Sequence, residues 1–114
     1  MQLNETDKKA DFMVDKLIVF FGKKIDSIVI EDVIDVPGHT SFSIKFVAYK
    51  YFPIRLNYGR GRFGCCISNG EIGISLENSQ KWWDTADFDV FLEELKQEIE
   101  LRIPDKFLKA KGWL

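Results

Sequence analysis

Apolar residues near the start of the chain recur at the spacing of one helical face. The repeating positions within residues 5–21 are Ala10, Met13, Val14, Leu17, Ile18 and Phe21. Asn4 or Thr6 is suited to cap the start of such a helix, and Gly22 suits the left-handed position just past its end. The pattern therefore predicts an amphipathic helix over residues 5–21.

The period changes to two after this helix, which indicates strands. Ser27 to Ile30 is the expected core of the first strand, and Pro37 with Gly38 marks a turn. We expect a connection near Tyr49–Tyr51, a turn or bulge over 59–64 and a tight hairpin turn at Asn69-Gly70. Apolar residues alternate along the strands at Phe42, Ile44, Phe46, Ala48, Phe52, Ile54, Leu56, Tyr58, Phe63, Cys65, Ile67, Ile72, Ile74 and Leu76.

A second helical pattern follows the strands. Its apolar stripe comprises Phe88, Phe91, Leu92, Leu95, Ile99 and Ile103. Thr85 or Asp87 can cap this helix, Pro104 ends it, and a short helical turn is expected over 105–111. This order predicts one α+β domain over residues 1–114, with a four- or five-stranded antiparallel meander sheet packed with an N-terminal and a C-terminal helix.

Composition limits the cellular compartment and the classes of partner expected for this domain. The chain has 114 residues, 46% of them apolar, and a net charge of −2, so it lacks the basic balance of a general nucleic-acid binder. No signal segment is visible and no apolar run reaches the length of a membrane span. Cys65 and Cys66 are neighbours in a strand, so they point to opposite faces and are poorly placed to pair. We expect a cytoplasmic protein with no membrane partner.

The residues that carry chemistry in other proteins are sparse here. Residues 59–64 match G-x-G-x-x-G, but a strand follows them instead of the helix that binds a phosphate, which favours a turn or bulge. His39 is the only histidine, and with two adjacent cysteines it makes neither a four-ligand metal set nor an evident nucleophile–base pair. We therefore expect no catalytic residue, no metal site, no cofactor and no enzymatic activity.

Charge is unevenly distributed along the chain. Segment 35–63 carries five basic residues against one acidic residue, a local charge of +4, and aromatic residues are interleaved with them. The basic residues are Lys45, Lys50, Arg55, Arg60 and Arg62, and the interleaved aromatic residues that could stack on bases are Tyr49, Tyr51, Tyr58 and Phe63. Strands 45–63 could thus stack single-stranded nucleic acid, which is the alternative function. The other interpretation is an ordinary solvated sheet whose aromatic residues fill the core.

The second helix lies in an acidic segment. Residues 71–105 carry ten acidic and three basic residues, a local charge of −7. Opposite the apolar stripe, Val90, Glu94, Gln97 and Leu101 follow one another at helical spacing. Such a face suits a basic protein partner, although two stray aliphatic residues on a solvated helix would give the same pattern. The candidate partner-binding residues are Trp82, Trp83, Asp89, Val90, Glu93, Glu94, Gln97, Glu100 and Leu101. One of the two tryptophans is expected in the core and the other at the surface.

The chain as a whole resembles the immunity proteins that protect bacteria from polymorphic toxins, particularly those of contact-dependent growth inhibition. The stretches that carry the resemblance are 61–67 (GRFGCCI), 98–107 (EIELRIPDKF) and 111–113 (KGW). The resemblance implies a cytosolic protein that binds a cognate toxin domain, usually a nuclease, and covers its active or substrate-binding site. On this basis, charge reversal at Glu93 and Glu94 is expected to weaken the complex without lowering thermal stability.

Overall fold

Helices from the two ends of the chain flank a run of antiparallel strands in the computed structural model, which describes residues 4–69, 72–75 and 81–113. Helix α1 (Glu5–Phe21) is followed by a 3₁₀ turn (Gly22–Lys24). The strands are β1 (Ile25–Val36), β2 (His39–Ala48), β3 (Phe52–Gly59), β4 (Arg62–Asn69), β5 (Ile72–Ser75) and β6 (Lys81–Trp82). Helices α2 (Phe88–Leu101) and α3 (Asp105–Ala110) complete the chain. The predicted α+β class is confirmed.

The sheet is a meander in the order β1-β2-β3-β4-β5, and every pair is antiparallel. The predicted connection after β2 is a turn in which Tyr49 and Lys50 both have positive φ, and Arg60 and Gly61 form the turn after β3 in the same way. At the predicted Asn69-Gly70 turn, Asn69 pairs with Ile72, whereas residues 70 and 71 lie outside the described residues. Strand β6 was not predicted. It pairs with β4 at only two positions.

Side-chain caps begin both long helices. The Asn4 side chain accepts a hydrogen bond from the Asp7 amide, and Asp87 accepts from the amides of Asp89 and Val90. Each cap is one of the two residues predicted for its helix. Thr6, the other candidate for α1, is buried and its hydroxyl donates to the Asp35 carboxylate of β1. No helix in the described part of the chain is long and apolar enough to cross a membrane.

One hydrophobic core lies between the helices and one face of the sheet. The strands contribute the alternating residues that the period of two predicts, from Phe42 through Ile67. The helices add Ala10, Met13, Leu17, Phe21, Phe91, Leu92, Leu95 and Ile99. The prediction for Ile18 is wrong: this residue is exposed, and its position one past Leu17 turns it out of the buried face.

Strand β1 extends beyond its expected core at Ser27–Ile30 and is less regular than the other strands. It has twelve residues, and its register against β2 shifts between Asp26 and Val29 and again between Glu31 and Ile34. Ser27 and Asp32 have positive φ within these two shifts, as expected of β-bulges. Because each bulge reverses the alternation of side chains, the aliphatic residues of β1 show no simple period of two.

Candidate functional site

Helix α2 presents an exposed stripe on the side opposite its buried one. Val90 is 49% exposed and Leu101 is 79% exposed, and Glu93 and Gln97 are exposed between them. The buried stripe of Phe91, Leu92, Leu95 and Ile99 fixes this orientation by packing in the core. The prediction that aliphatic residues occupy both ends of an outward face is confirmed.

The acidic residues along the flanks of α2 are mostly paired with basic residues. Glu98 accepts from Arg102 at 2.9 Å, and Lys96 Nζ lies 3.2 Å from Glu100 Oε2. Asp89 is only loosely paired, with its Oδ1 4.0 Å from Lys16 Nζ of α1. Lys96 and Arg102 are already included in the local charge of −7, so only the loose contact with Lys16 lowers the net charge of this segment.

Glu94 does not lie on the exposed stripe, so the prediction that places it on that stripe between Val90 and Gln97 is wrong. It is half-buried, and its Oε2 lies 3.2 Å from Lys81 Nζ of β6. The Glu94 oxygen is buried and lies outside hydrogen-bond geometry, so the contact with Lys81 is a Coulombic pair. The reason is the pairing of β6 with β4, which brings Lys81 over this flank of the helix.

Glu100 is likewise engaged with the interior of the protein. The fully buried Tyr49 donates its hydroxyl hydrogen bond to the Glu100 carboxylate. Burial, together with this hydrogen bond and the nearby negative charges of Glu100 and Glu93, raises the pKa of Tyr49 above its ordinary value. Tyr49 therefore serves the core, and it is not available as a stacking residue for nucleic acid.

The two tryptophans lie in different parts of the molecule, so the predicted partner-binding residues do not form one surface. Trp83 packs against the core within a cluster formed with Phe12, Phe42, Tyr58, Phe63 and Phe88. Trp82 is 58% exposed and pairs with Arg62, whose guanidinium carbon lies 5.2 Å from its ring centre. Since Phe63 faces the core, its neighbour Arg62 and hence Trp82 lie on the opposite face of the sheet, away from α2.

A groove of about 420 Å³ lies beside the C-terminal end of α2. Its lining residues are Gln97, Glu100, Leu101, Ile103, Asp105 and Leu108. Three of these belong to the predicted set, and Asp105 is an addition that sequence reasoning missed. The signal was Pro104, which ends the helical stripe and starts α3, so that Asp105 lies at the beginning of α3 next to the end of α2.

Two of the five basic residues of segment 35–63 are paired with acidic residues of β1. Lys45 Nζ lies 3.0 Å from Glu31, and the Arg55 guanidinium lies 3.1 Å from Asp32, so acidic residues of β1 neutralise both. Tyr58 and Phe63 are buried, as Tyr49 is, whereas Tyr51 is exposed. The interpretation in which most of these aromatic residues fill the core is confirmed. Tyr49, Tyr58 and Phe63 are therefore not available to stack on the bases of a nucleic acid, which is the alternative function.

A second groove of about 350 Å³ lies over β3 and β4, and it includes both cysteines. Cys65 is buried and Cys66 is half-buried, which agrees with the prediction that they face opposite sides of the sheet. Burial, and secondarily the adjacent Cys66, raises the pKa of the Cys65 thiol, which makes it a poor nucleophile. Within residues 4–69, 72–75 and 81–113 no cluster of three or more His, Cys, Asp or Glu residues could hold a metal ion.

The outward stripe of α2 and the groove beside its end share Gln97 and Leu101, so they form one surface. We define the α2 surface by Val90, Glu93, Gln97, Leu101 and Asp105. Glu93 and Asp105 make no ion pair with any described residue, which leaves their charge available to a partner. No protein-family model matches this chain, and no curated protein or solved structure matches it significantly.

Proposed function

We propose that this chain is a non-enzymatic, cytoplasmic immunity protein that binds a cognate toxin domain, a basic nuclease, through the α2 surface. The observation that carries the proposal is the pair of exposed aliphatic side chains, Val90 and Leu101, at the two ends of the outward face of α2. The resemblance to immunity proteins of contact-dependent growth inhibition supplies the class of partner.

The aliphatic side chains supply the energy of binding in this proposal. Burying an exposed valine or leucine side chain completely contributes about 1.5–3 kcal/mol, and anchors of this kind account for most of the affinity of many interfaces. Leu101 is the stronger candidate because it is 79% exposed and lies at the rim of the groove. An apolar side chain of the partner would pack against Leu101 and the walls of that groove.

The carboxylates provide orientation and speed of association. Glu93 and Asp105 are exposed and lie along the same surface as the two aliphatic anchors. Opposite charges across an interface steer the encounter and exclude partners of the wrong sign. A nuclease binds phosphates through basic residues, so carboxylates seated on those residues would compete with its substrate. This is how the α2 surface would cover the substrate-binding site.

The test is rescue of growth by co-expression with the toxin domain encoded directly upstream of this chain. We expect the unaltered protein to protect the cells and to form a complex with that domain. Leu101→Lys and Glu93→Lys are each expected to weaken the complex by about tenfold or more. Absence of both rescue and complex formation for the unaltered protein would disprove the proposal.

A matched control separates loss of binding from general surface effects. Val19 of α1 is 86% exposed, so Val19→Lys also replaces an aliphatic side chain by lysine at a similar exposure but outside the α2 surface. We expect Val19→Lys to bind as the unaltered protein does. If Leu101→Lys also binds normally, another surface holds the toxin.

The charge-reversal test that the sequence suggested needs one change. Glu94→Lys would bring a second cation against Lys81 and leave it unpaired, so it should lower thermal stability by itself. Glu93 has no ion-pair partner among the described residues, so Glu93→Lys should leave the melting temperature unchanged. The informative double variant is therefore Glu93→Lys with Asp105→Lys.

A further inference from the structure

Five of the large hydrophobic side chains that the described part of the chain exposes lie on β1. These are Val29, Ile30, Val33, Ile34 and Val36, each between 36% and 51% exposed. Ile30 pairs with Ile44 of the covered face, whereas Ile34 pairs with Ser41 of the open face, so the aliphatic residues lie on both faces of the strand. They are exposed because β1 is at the end of the sheet and pairs, among the described strands, only with β2.

The hairpin formed by β1 and β2 extends from the body of the protein. Residues 32–39 are exposed at every position, through the end of β1, the turn and the start of β2. A strand of twelve residues spans about 40 Å, against a longest dimension of 48 Å for the whole molecule. A partner can therefore reach the outer part of β1 along its free edge, although Thr6 of α1 contacts Asp35 there.

The two bulges determine how another strand can pair with this edge. They leave two regular runs of three residues, Val29–Glu31 and Ile34–Val36, between the shifts in register. An edge strand presents unpaired backbone N–H and C=O groups along its free side, and bulges are a common defence against long, unselective pairing. A short extended segment can pair with one run, while a long flat strand meets the bulge at Asp32.

The charge of β1 indicates which kind of partner segment fits its free edge. Residues 25–36 contain four acidic residues, Asp26, Glu31, Asp32 and Asp35, and no basic residue. Lys45 and Arg55 neutralise Glu31 and Asp32, which leaves Asp26 and Asp35 without an ion pair among the described residues. A second copy of the chain paired along this edge would add two more such carboxylates and no cation to offset them. A basic segment brings charge of the opposite sign.

We infer that the free edge of β1, over residues 29–36, binds a short, extended segment of a partner protein that alternates basic and aliphatic residues. The segment would add as a strand, with backbone hydrogen bonds to one of the regular runs and its aliphatic side chains against Ile34 and Val36. This site is separate from the α2 surface. It stands whether or not the α2 surface binds a toxin.

Two synthetic peptides of about five residues test the inference, because that length covers one regular run of β1 with a residue to spare on either side. One alternates lysine and valine, and the other alternates glutamate and valine. We expect fluorescence anisotropy to show binding of the lysine peptide that is about tenfold or more tighter than binding of the glutamate peptide. Bound lysine peptide should also slow amide hydrogen exchange in residues 29–36. Equal binding of both peptides, or no slowing in β1, would overturn the inference.

Variants at the edge keep this test specific. Ile34→Lys with Val36→Lys should weaken binding of the lysine peptide about tenfold or more, while Leu101→Lys on the α2 surface should leave it unchanged. Val36→Thr is a milder replacement that retains a β-branched side chain, and it should weaken binding less. Sedimentation velocity provides a further outcome: a dimer that forms with increasing concentration and is lost in Ile34→Lys would overturn the inference and assign the edge to a second copy.

Discussion

The two faces of the sheet alternate along the same strands, yet different forces hold them. On the face covered by the helices, Phe42 and Ile44 of β2 are almost wholly buried in the aromatic and aliphatic core. On the open face, the intervening Ser43 accepts a hydrogen bond from Arg55 and donates one to Asn57. One face is thus stabilised by removal of apolar surface from water, and the other by hydrogen bonds and ion pairs between polar side chains.

This difference separates stability from binding. Burial of a large apolar side chain contributes several times more than a surface ion pair, which contributes about 0–1 kcal/mol. The covered face therefore determines whether the chain folds. The open face, the free edge of β1 and the α2 surface can change with little effect on the free energy of unfolding, so specificity for a partner can vary there. The following predictions test this separation.

The largest loss of stability is expected when a large side chain buried on the covered face is truncated and leaves a cavity. Phe63 is buried against Trp83, Phe88 and Phe91, so Phe63→Ala should lower the free energy of unfolding by about 3–5 kcal/mol. Urea unfolding followed by circular dichroism measures the change. Cys66→Ala, three residues along the same strand but on the open face, is the control and should cost far less. Similar losses for the two variants would contradict the comparison.

Alkaline pH should weaken the covered face in particular. Burial raises the pKa of both Tyr49 and Cys65, so the folded protein keeps these protons at a pH where the unfolded chain, with ordinary pKa values of about 10 and 8.5, releases them. Their contribution to stability is complete below those values and falls as pH rises above them, by about 1.4 kcal/mol per pH unit for each group. Urea unfolding between neutral pH and pH 11 measures this slope. Tyr49→Phe should give a shallower decline above pH 10, and an unchanged slope would show that Tyr49 ionises as freely as in the unfolded chain.

A smaller effect is expected on the open face. Arg55 contacts Asp32, Asn57 and Ser43, and Arg55→Met removes all three contacts while keeping most of the aliphatic stem. We expect a loss of about 1 kcal/mol in the free energy of unfolding, because these groups are partly exposed. Lys45→Met, which removes a single ion pair with Glu31, should cost less. A loss of 3 kcal/mol or more for Arg55→Met would mean that the open face holds the fold as firmly as the covered one.

The reaction rates of the two cysteines with a thiol reagent test the comparison between the two faces without a substitution in the core. A thiol reagent should modify the half-buried Cys66 in the native protein, while Cys65 should react slower by a factor on the order of 10³ or more, because it must first be exposed by opening of the structure. Mass spectrometry of the partially labelled protein identifies the modified residue. The Cys66→Ala variant should then resist labelling until urea unfolds it. Rapid labelling of that variant in the absence of urea would show that the covered face opens easily.

The sequence predicts most of the fold because the local patterns agree with the tertiary contacts. Strands β2, β3 and β4 bury one face only, so their alternation is regular, and both long helices have a buried stripe and a capping residue. Strand β1 could not be delimited in this way. Its aliphatic residues lie on both faces, and the bulges at Ser27 and Asp32 interrupt its period.

The candidate site was predictable only where it depends on one helix. The outward positions of Val90 and Leu101 follow from helical spacing alone. The pairing of Glu94 with Lys81 depends on β6, and the position of Trp82 on the opposite face depends on the same short strand. A strand of two residues leaves no periodic signal. The acidic partners of Lys45 and Arg55 come from β1, so a charge count along segment 35–63 did not include them.

The aromatic cluster around Trp83 also gives the protein an intrinsic optical signal. Near-ultraviolet circular dichroism depends on aromatic rings held in fixed orientations, and it disappears when tertiary packing is lost even if secondary structure persists. Trp83 lies within ring-packing distance of five other aromatic residues, whereas Trp82 is exposed on the far side of the sheet. A ligand that docks without disturbing the core should therefore leave the dichroism of this cluster unchanged, while partial melting should abolish it. Binding and loosening of the core can thus be distinguished in unlabelled protein.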